Sequence, residues 1–195
     1  ELFNAAPDAT VLIGTDFTIN MLNDTLATLL GIDKEAAKGR KCHEVFRNAL
    51  CETAFCPVGR ILNGEQRIEA DVKLYHATGR EIPCLFTATP FQPAGELIGI
   101  IETFKDMTER LRVEEALSKE FQLASQIQRQ FVPQSFANGL VTVDVIYEPY
   151  NHVSGDMCDC FWLNSSKLFG YVLDVMGHGL STALQTSALR VLFSQ

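Results

Sequence analysis

The sequence is poor in basic residues and has no long apolar run. Its 195 residues include 16 Lys and Arg against 24 Asp and Glu, which leaves a formal net charge of −8. This shortage of positive charge argues against nucleic acid or an anionic membrane surface as a partner, because both require a basic face. No apolar run approaches the roughly 18 residues that cross a bilayer, and the N-terminus carries no signal peptide. We therefore expect a cytoplasmic protein.

Composition excludes disorder as the main state, because 47% of the residues are hydrophobic and only 21% are charged. The length allows one full domain and part of a second. Without an export signal, the six cysteines are expected to be free thiols. Residues 107–140 carry four acidic and four basic side chains, whereas residues 141–195 carry five and two. A neutral, densely charged segment between acidic flanks is typical of a helical connector between two domains.

The first 106 residues alternate between strand-like and short helical segments. Strands are predicted at 9–14, 17–22, 67–75, 81–90 and 96–105. A helix is predicted from a cap at Asn23 or Asp24 through Leu30, and brief helical stretches between 39 and 63 are interrupted by Pro57. This order predicts an α+β domain with one antiparallel five-stranded sheet.

The order and size of these elements resemble the PAS sensor domain. Residues 106–110 (DMTER) strengthen the resemblance, because PAS domains commonly end in D-x-T-E-R before a helix. The resemblance implies that residues 1–106 form a PAS domain, which binds a small molecule, a cofactor or another PAS domain. The identity of such a small-molecule ligand is left open.

Four cysteines in this domain are candidates for a metal or iron–sulfur site: Cys42, Cys51, Cys56 and Cys84. The spacing of the first three, C-x8-C-x4-C, matches no standard zinc or ferredoxin pattern. This mismatch favours thiols that pack in the core. A metal-binding or redox site is the alternative.

A flavin or haem cofactor is not favoured in this domain. Residues 39–42 (GRKC) resemble the flavin-adduct loop of light-sensing PAS domains, but Lys41 and residues 43–46 (HEVF) lack its flavin-binding polar groups. We therefore predict an apolar pocket that binds no flavin. His43 and His76 are candidate haem ligands, although a lone histidine in a polar context favours an ordinary surface role.

Residues 107–133 are predicted to form a helical linker that also acts as a switch. No Gly or Pro interrupts the segment before Pro133. The apolar residues recur at helical spacing, at Val113, Leu117, Phe121, Ala124, Ile127 and Phe131. This near-heptad stripe predicts a parallel homodimer through a coiled coil in the first half of the helix, and packing on a neighbouring domain is the alternative.

Residues 134–195 differ in character from the linker and are predicted to belong to a second domain. A strand is predicted at 141–147, and a hairpin is predicted from 159–163 and 167–174 around a turn at 164–166. An apolar helix follows from 179 to 194, with Ser181 as a candidate N-terminal cap.

Two aspartates in this segment stand beside glycine turns, Asp156 in VSGD and Asp174 in DVMGHG. Carboxylate oxygens in such places suit hard cations such as Mg²⁺ or Mn²⁺. Two such ions can lower the pKa of a shared water and direct it at a phosphorus atom. Either aspartate alone reads as a turn or cap residue, but the pair in this order favours a metal site.

Five segments resemble, in order, the start of a bacterial PPM-type serine phosphatase, in the branch related to protein phosphatase 2C that includes stress-response and sporulation phosphatases. They are 124–128 (ASQIQ), 131–133 (FVP), 147–149 (YEP), 154–156 (SGD) with Asp159, and 174–179 (DVMGHG) with Ala183-Leu184. The resemblance implies that Asp156 and Asp174 are catalytic metal ligands, with the Val175 carbonyl as a third. It implies that residues 134–195 form the N-terminal part of an α/β sandwich, and that the intact domain holds two Mn²⁺ or Mg²⁺ ions. It also implies a substrate, a phosphoserine on a STAS-domain anti-sigma-factor antagonist, and gives His178 no chemical role.

The later aspartates that complete the metal centre of such phosphatases are absent from these 195 residues. We therefore expect either a fragment or a degenerate phosphatase domain, inactive by itself. The predicted function of the intact protein is a phosphoserine and phosphothreonine phosphatase controlled by the PAS domain through the linker. The alternatives are a non-catalytic sensor and dimerisation module, and a redox or metal-binding regulator built on the PAS cysteines.

Overall fold

Two sets of secondary-structure elements make up the chain, and the division between them falls inside a long helix. A computed structural model describes residues 3–46, 48–149, 151–177 and 179–193. The first unit is Glu1–Arg112 and the second is Val113–Gln195. Within the described ranges, none of the helices combines the length and the apolar character needed to cross a membrane.

The first unit begins with a pair of strands, continues through short helices and ends with three longer strands. In chain order the elements are β1 (Ala9–Gly14), β2 (Ile19–Leu22), α1 (Asp24–Leu30), α2 (Lys34–Ala37), α3 (Cys42–Val45), α4 (Pro57–Leu62), β3 (Ile68–Tyr75), β4 (Glu81–Phe91) and β5 (Gly99–Asp106). Helix α1 starts after Asn23, whose side-chain oxygen accepts a hydrogen bond from the Leu26 N–H (2.9 Å). It stops at Gly31, whose φ of 66° favours a residue without a Cβ.

The strands of the first unit form one antiparallel sheet in the order β2-β1-β5-β4-β3. Strand β5 lies at the centre, where Glu102 is opposite Val11 on β1 and Ala88 on β4. Buried side chains of the sheet and the helices form one core, in which Phe104 contacts the rings of Phe46 and Phe86. The predicted α+β fold with a five-stranded antiparallel sheet is confirmed.

Three predicted details of the first unit are wrong. Pro57 begins α4 instead of breaking a helix, because a proline at the first helical position loses no intrahelical hydrogen bond. Strand β2 starts at Ile19, since Phe17 has a φ of 69° in the preceding turn. Strand β5 starts only at Gly99, because the preceding residues belong to the turn after β4.

Helix α5 (Thr108–Phe131) follows β5 after a single residue, Met107. The Met107 N–H donates to the Pro83 carbonyl (2.9 Å), and the Asp106 carboxylate accepts a hydrogen bond from the Thr108 N–H (2.8 Å). Asp106 thus satisfies a backbone N–H that the first helical turn leaves without a partner. The helix predicted within 107–133 is confirmed, whereas the coiled coil stays a prediction.

The second unit contains most of α5 and a set of short and long strands followed by a helix. These elements are β6 (Phe136–Ala137), β7 (Thr142–Val143), β8 (Asp156–Asn164), β9 (Lys167–Asp174) and α6 (Leu180–Phe193). Strands β6 and β7 pair with each other. Strands β8 and β9 form the predicted hairpin, with Asn164 opposite Lys167 at its turn, but β8 begins at Asp156 and not at residue 159. That these elements begin a phosphatase sandwich stays a prediction.

Two predictions for the second unit are wrong. The strand predicted at 141–147 is reduced to β7, and the Val145 N–H donates to Ser135 Oγ (3.0 Å) instead of pairing with another strand. Ser181 lies inside α6 and does not cap it, because helical hydrogen bonding already starts with the Ala183 N–H donating to the Gly179 carbonyl (3.1 Å). His178 lies outside the described residues.

Candidate functional site

Asp156 and Asp174 face each other at the open end of the β8–β9 hairpin. Asp156 is the first residue of β8, Asp174 is the last residue of β9, and the antiparallel register places them directly opposite each other. Residues paired in this way project from the same face of the sheet, with Cβ atoms about 4.5–5.5 Å apart. Both residues are exposed. The structure therefore brings the two predicted ligands together, while their catalytic role stays a prediction.

The Val175 carbonyl, the third predicted ligand, lies beside Gly155. The Val175 N–H donates to the Gly155 carbonyl (3.3 Å), so pairing continues one residue beyond the two aspartates. A Cβ added to Gly155 would lie 2.8 Å from the Val175 carbonyl oxygen and 2.9 Å from Thr182 Cγ2. Glycine permits this close approach, which keeps the carbonyl at the same end of the hairpin as the carboxylates.

These donors fit a hard cation in type but provide few ligands. Carboxylate and carbonyl oxygens suit Mg²⁺ or Mn²⁺, which also retain several waters. Among the described residues, no three or more His, Cys, Asp and Glu side chains are grouped so that they could hold a metal ion. Asp156, Asp174 and Val175 by themselves would therefore hold at most one weakly bound cation.

A buried glutamine connects α5 to the residues before Asp156. Gln128 is 3% exposed, and its Nε2 donates to the Ser154 carbonyl (2.7 Å). Its Oε1 accepts hydrogen bonds from the Ser154 N–H (2.9 Å) and the Tyr147 hydroxyl (2.8 Å). Ser154 Oγ in turn accepts a hydrogen bond from the Asp156 N–H (3.0 Å). A chain of hydrogen bonds thus runs from the helix to a candidate metal ligand.

The sequence analysis assigned no role to Gln128, although a signal was present. Gln128 lies four residues after Ala124 and three before Phe131, on the apolar face of the helix. A polar residue at such a position needs hydrogen-bond partners when it is buried. Its place in the stripe therefore indicated a buried polar contact.

Asp159 forms an ion pair instead of contributing to the metal site. It is 7% exposed, and its Oδ2 lies 3.0 Å from Arg190 Nη2 on α6. The Arg190 guanidinium also lies over the Phe131 ring, 5.6 Å from its centroid. Asp159 thus helps to join β8, α6 and the end of α5, and Arg190 neutralises its charge.

Three of the four candidate cysteines of the first unit lie around one small cavity. Cys42, Cys51 and Cys56 line a cavity of about 20 Å³ that Glu102 also borders. Cys84 is buried on β4 and does not line this cavity. All six cysteines of the chain are free. Cys42 and Cys84 are buried in the core as predicted, whereas Cys51 and Cys56 are only half-buried.

The two candidate haem ligands of the first unit lie apart from that cavity. The His76 ring packs against Gly31, where an added Cβ would overlap the ring, and its Nδ1 lies 2.8 Å from Thr78 Oγ1. His76 therefore has a packing role. His43 follows Cys42 at the wall of a wider neighbouring cavity.

Comparison with known proteins gives matches to both a fold and an enzyme. The family described as PAS fold matches residues 3–112. The phosphoserine phosphatase RsbP of Bacillus subtilis (strain 168) is 34% identical to the chain over 77 residues, which are 40% of this chain and 19% of RsbP. The chain therefore spans about a fifth of the length of this relative.

Similar solved structures include a PAS domain and a LOV protein. A PAS domain from Colwellia psychrerythraea is 19% identical, covers 55% of this chain and 92% of its own, and has a TM-score of 0.48. The LOV protein of Rhodobacter sphaeroides is 13% identical, covers 67% of this chain and 75% of its own, and has a TM-score of 0.49.

Proposed function

The chain belongs to the PAS family, and we propose that its PAS unit controls a metal-dependent phosphoserine and phosphothreonine phosphatase in bacterial signalling. The observation that carries the proposal is the pair Asp156 and Asp174, directly opposite each other at one end of the β8–β9 hairpin. The similarity to the phosphoserine phosphatase RsbP supports the same chemistry.

In this proposal Asp156, Asp174 and the Val175 carbonyl hold Mn²⁺ or Mg²⁺, with two ions in the complete phosphatase domain. A bound cation supplies charge stabilisation and an acidified water for attack on a phosphoester. The two aspartates are exposed, so they can hold a cation within reach of a phosphorylated side chain of another protein. Like charges directly opposite each other destabilise a hairpin, and a cation between them removes that repulsion.

Control by the linker runs through Gln128. Its side-chain amide forms hydrogen bonds with the carbonyl and the N–H of Ser154, and Ser154 Oγ accepts a hydrogen bond from the Asp156 N–H. A rotation of α5 that withdraws Gln128 frees Ser154 and moves Asp156 away from its position opposite Asp174. The helix thereby sets whether the two carboxylates converge on a cation.

A second copy of the chain covers the apolar face of α5. Three residues of this stripe, Val113, Leu117 and Ile127, have side chains that are 59%, 52% and 49% exposed. An apolar stripe of this length is unfavourable in water, and a parallel homodimer buries it. Leu117→Asp should give a monomer in light scattering, whereas the exposed Lys119→Asp should leave the dimer intact. A monomeric unaltered chain at micromolar concentration would contradict this arrangement.

The proposed substrate rests on the family resemblance, and the proposed location on the sequence itself. We propose a phosphoserine on a STAS-domain anti-sigma-factor antagonist as the substrate, and the cytoplasm as the location. The net charge of −8 fits neither nucleic acid nor an anionic membrane as the partner.

The metal site can be tested by Mn²⁺ titration of the 195-residue chain, followed by paramagnetic broadening of amide signals. Broadening should be centred on residues 156, 174 and 175 and should be lost in Asp174→Asn. The exposed Asp144→Asn, outside the hairpin, should leave it unchanged. Broadening centred elsewhere in the unaltered chain would show that the site is wrongly assigned.

Activity is tested with the full-length protein and a phosphoserine peptide. Asp174→Asn should abolish Mn²⁺-dependent hydrolysis and leave the dimer unchanged, and full activity of this variant would refute the proposal. The 195-residue chain alone should be nearly inactive, because its described donors hold at most one weakly bound cation.

The alternative function is a non-catalytic sensor and dimerisation module. The observation in its favour is that the described residues contain no group of three side chains suited to hold a metal ion. This alternative predicts no Mn²⁺ binding at the hairpin and no hydrolysis by the full-length protein, so the same two experiments separate it from the phosphatase.

A further inference from the structure

Two half-buried cysteines lie at the ends of a short turn segment in the first unit. Cys51 and Cys56 are separated by four residues, and both lie outside the helices and strands. The Cys51 N–H donates to the Asn48 carbonyl (3.2 Å) and the Cys56 N–H donates to the Thr53 carbonyl (3.1 Å), so each cysteine closes a turn. Glu52 between them has a φ of 55°, in the left-handed region. The chain therefore folds back instead of extending between the two cysteines.

These two cysteines border the same space. Both line the cavity of about 20 Å³ that Glu102 borders, and both also line a wider cavity of about 290 Å³ beside it. Burial raises the pKa of the Cys51 thiol, and charge on Cys56 adds to the rise, which indicates that the two side chains are near each other. A disulfide requires Cα atoms about 4.4–6.8 Å apart. A folded-back segment of this length can reach that separation, whereas an extended one of about 17 Å cannot.

The other two thiols of the first unit are poorer partners. Cys42 is 7% exposed in α3, and burial raises its pKa to about 12. Cys84 is 2% exposed on β4, where burial also raises its pKa to about 12, and it lines neither cavity. Thiols with such pKa values contain almost no thiolate at neutral pH, and the thiolate is the reactive form. We therefore expect Cys51 and Cys56 to react before Cys42 and Cys84.

We propose that Cys51 and Cys56 are a redox-sensitive modification site of the PAS unit and form an intramolecular disulfide on reaction with a hydroperoxide. The Cys56 thiolate attacks one peroxide oxygen, which releases water or an alcohol and leaves a sulfenic acid on Cys56. The Cys51 thiol then attacks that sulfur and loses its proton, and the sulfenic oxygen leaves as water. In total, two thiols give up two protons and two electrons, and the peroxide is reduced.

The contacts of Cys51 explain the order of these steps and their consequence. Its thiol donates a hydrogen bond to the Phe46 carbonyl (3.0 Å), which holds the proton and leaves Cys56 to react first. A disulfide removes that proton, so the Phe46 carbonyl loses a donor. The Phe46 ring contacts the Phe104 ring on β5, with the ring centroids 6.1 Å apart. Oxidation is therefore expected to change the packing against the strand that leads into α5.

The experiment is treatment of the reduced 195-residue chain with one equivalent of hydrogen peroxide, followed by digestion with a protease that cleaves after glutamate. Cleavage at Glu44, Glu52 and Glu65 places Cys51 in the peptide 45–52 and Cys56 in the peptide 53–65. Mass spectrometry without reduction should find these two peptides joined, and reduction should release them. A major product that links Cys42 to either cysteine, or a link between two copies of the chain, would overturn the proposal.

Single variants test the role given to each cysteine. Cys51→Ser should leave a sulfenic acid on Cys56 that dimedone labels, whereas Cys56→Ser should lower the labelling of Cys51 at least about tenfold below that level. Cys84→Ser, the matched buried thiol on β4, should form the disulfide like the unaltered chain. Circular dichroism shows whether each variant retains the fold, and alanine replaces serine in any variant that unfolds. Equal labelling in Cys51→Ser and Cys56→Ser, or loss of the disulfide in Cys84→Ser, would overturn the proposal.

Discussion

Replacing Gln128 with alanine should destabilise the second unit by about 3 kcal/mol. The change removes two hydrogen bonds to the backbone of Ser154 and one from Tyr147. A protein hydrogen bond contributes about 0.5–1.5 kcal/mol net, so three contribute about 1.5–4.5 kcal/mol. Water that enters the space left by the shorter side chain restores part of the lost stability. The higher helix propensity of alanine restores less than about 0.7 kcal/mol of it.

Urea unfolding monitored by tryptophan fluorescence measures the loss of stability of the second unit. The chain contains one tryptophan, Trp162, and it lies on β8 in the second unit. Gln126→Ala is the matched control, because Gln126 lies on the same helix and is exposed. The control should change the free energy of unfolding by less than about 0.5 kcal/mol. Equal unfolding midpoints for Gln128→Ala and Gln126→Ala would refute the role given to Gln128.

Three further predictions concern Glu102, Asn23 and Gly155. The carboxyl of Glu102 has a pKa near 4.5 when unfolded and about 8 when folded, so the folded state holds an extra proton between these values. The free energy of unfolding of the first unit should therefore fall as pH rises through this window, by up to about 1.4 kcal/mol per pH unit. Glu102→Gln should remove this pH dependence in denaturant titrations. Asn23→Ala removes three hydrogen bonds of a fully buried cap and should lower the stability measured by calorimetry by about 2–4 kcal/mol. The control Asp33→Ala, at the exposed cap of α2, should lower it by about 1 kcal/mol. Equal losses of stability in the two variants would be inconsistent with this reasoning. Gly155→Ala should lower the urea midpoint by fluorescence, whereas Gly170→Ala, whose added Cβ meets nothing closer than 3.5 Å, should not.

Elements with local signals were predictable from the sequence. Helix α1 begins after the cap at Asn23 and ends at Gly31, as predicted, because both residues act through backbone groups within a few residues. The β8–β9 hairpin was predictable from its alternation and its turn at residues 164–166, and this pairing places Asp156 opposite Asp174. The family match confirms the PAS fold, which the order of elements also indicated.

Features that depend on distant partners were missed. Residues 141–147 alternate like a strand, yet the Val145 N–H donates a hydrogen bond to the Ser135 hydroxyl. The pattern of apolar and polar residues does not reveal such a bond, because its acceptor lies ten residues away in the sequence. Glu102 lies on the same face of β5 as the buried Ile100 and Phe104, so it is enclosed in the core, but a single carboxyl in an alternating strand gives no signal of what surrounds it. The grouping of its carboxyl with three cysteines results from the fold and not from their spacing in the chain.

The junction between β5 and α5 has a mechanical consequence for signalling. One residue, Met107, separates the strand from the helix; its own N–H and that of Thr108 are both held by hydrogen bonds. Because no loop separates the strand from the helix, a small shift of β5 should displace the first turn of α5. Glu102 also lies on this strand, so we expect a displacement of β5 in the core to be transmitted to the helix, and residues inserted at Met107 to uncouple the two.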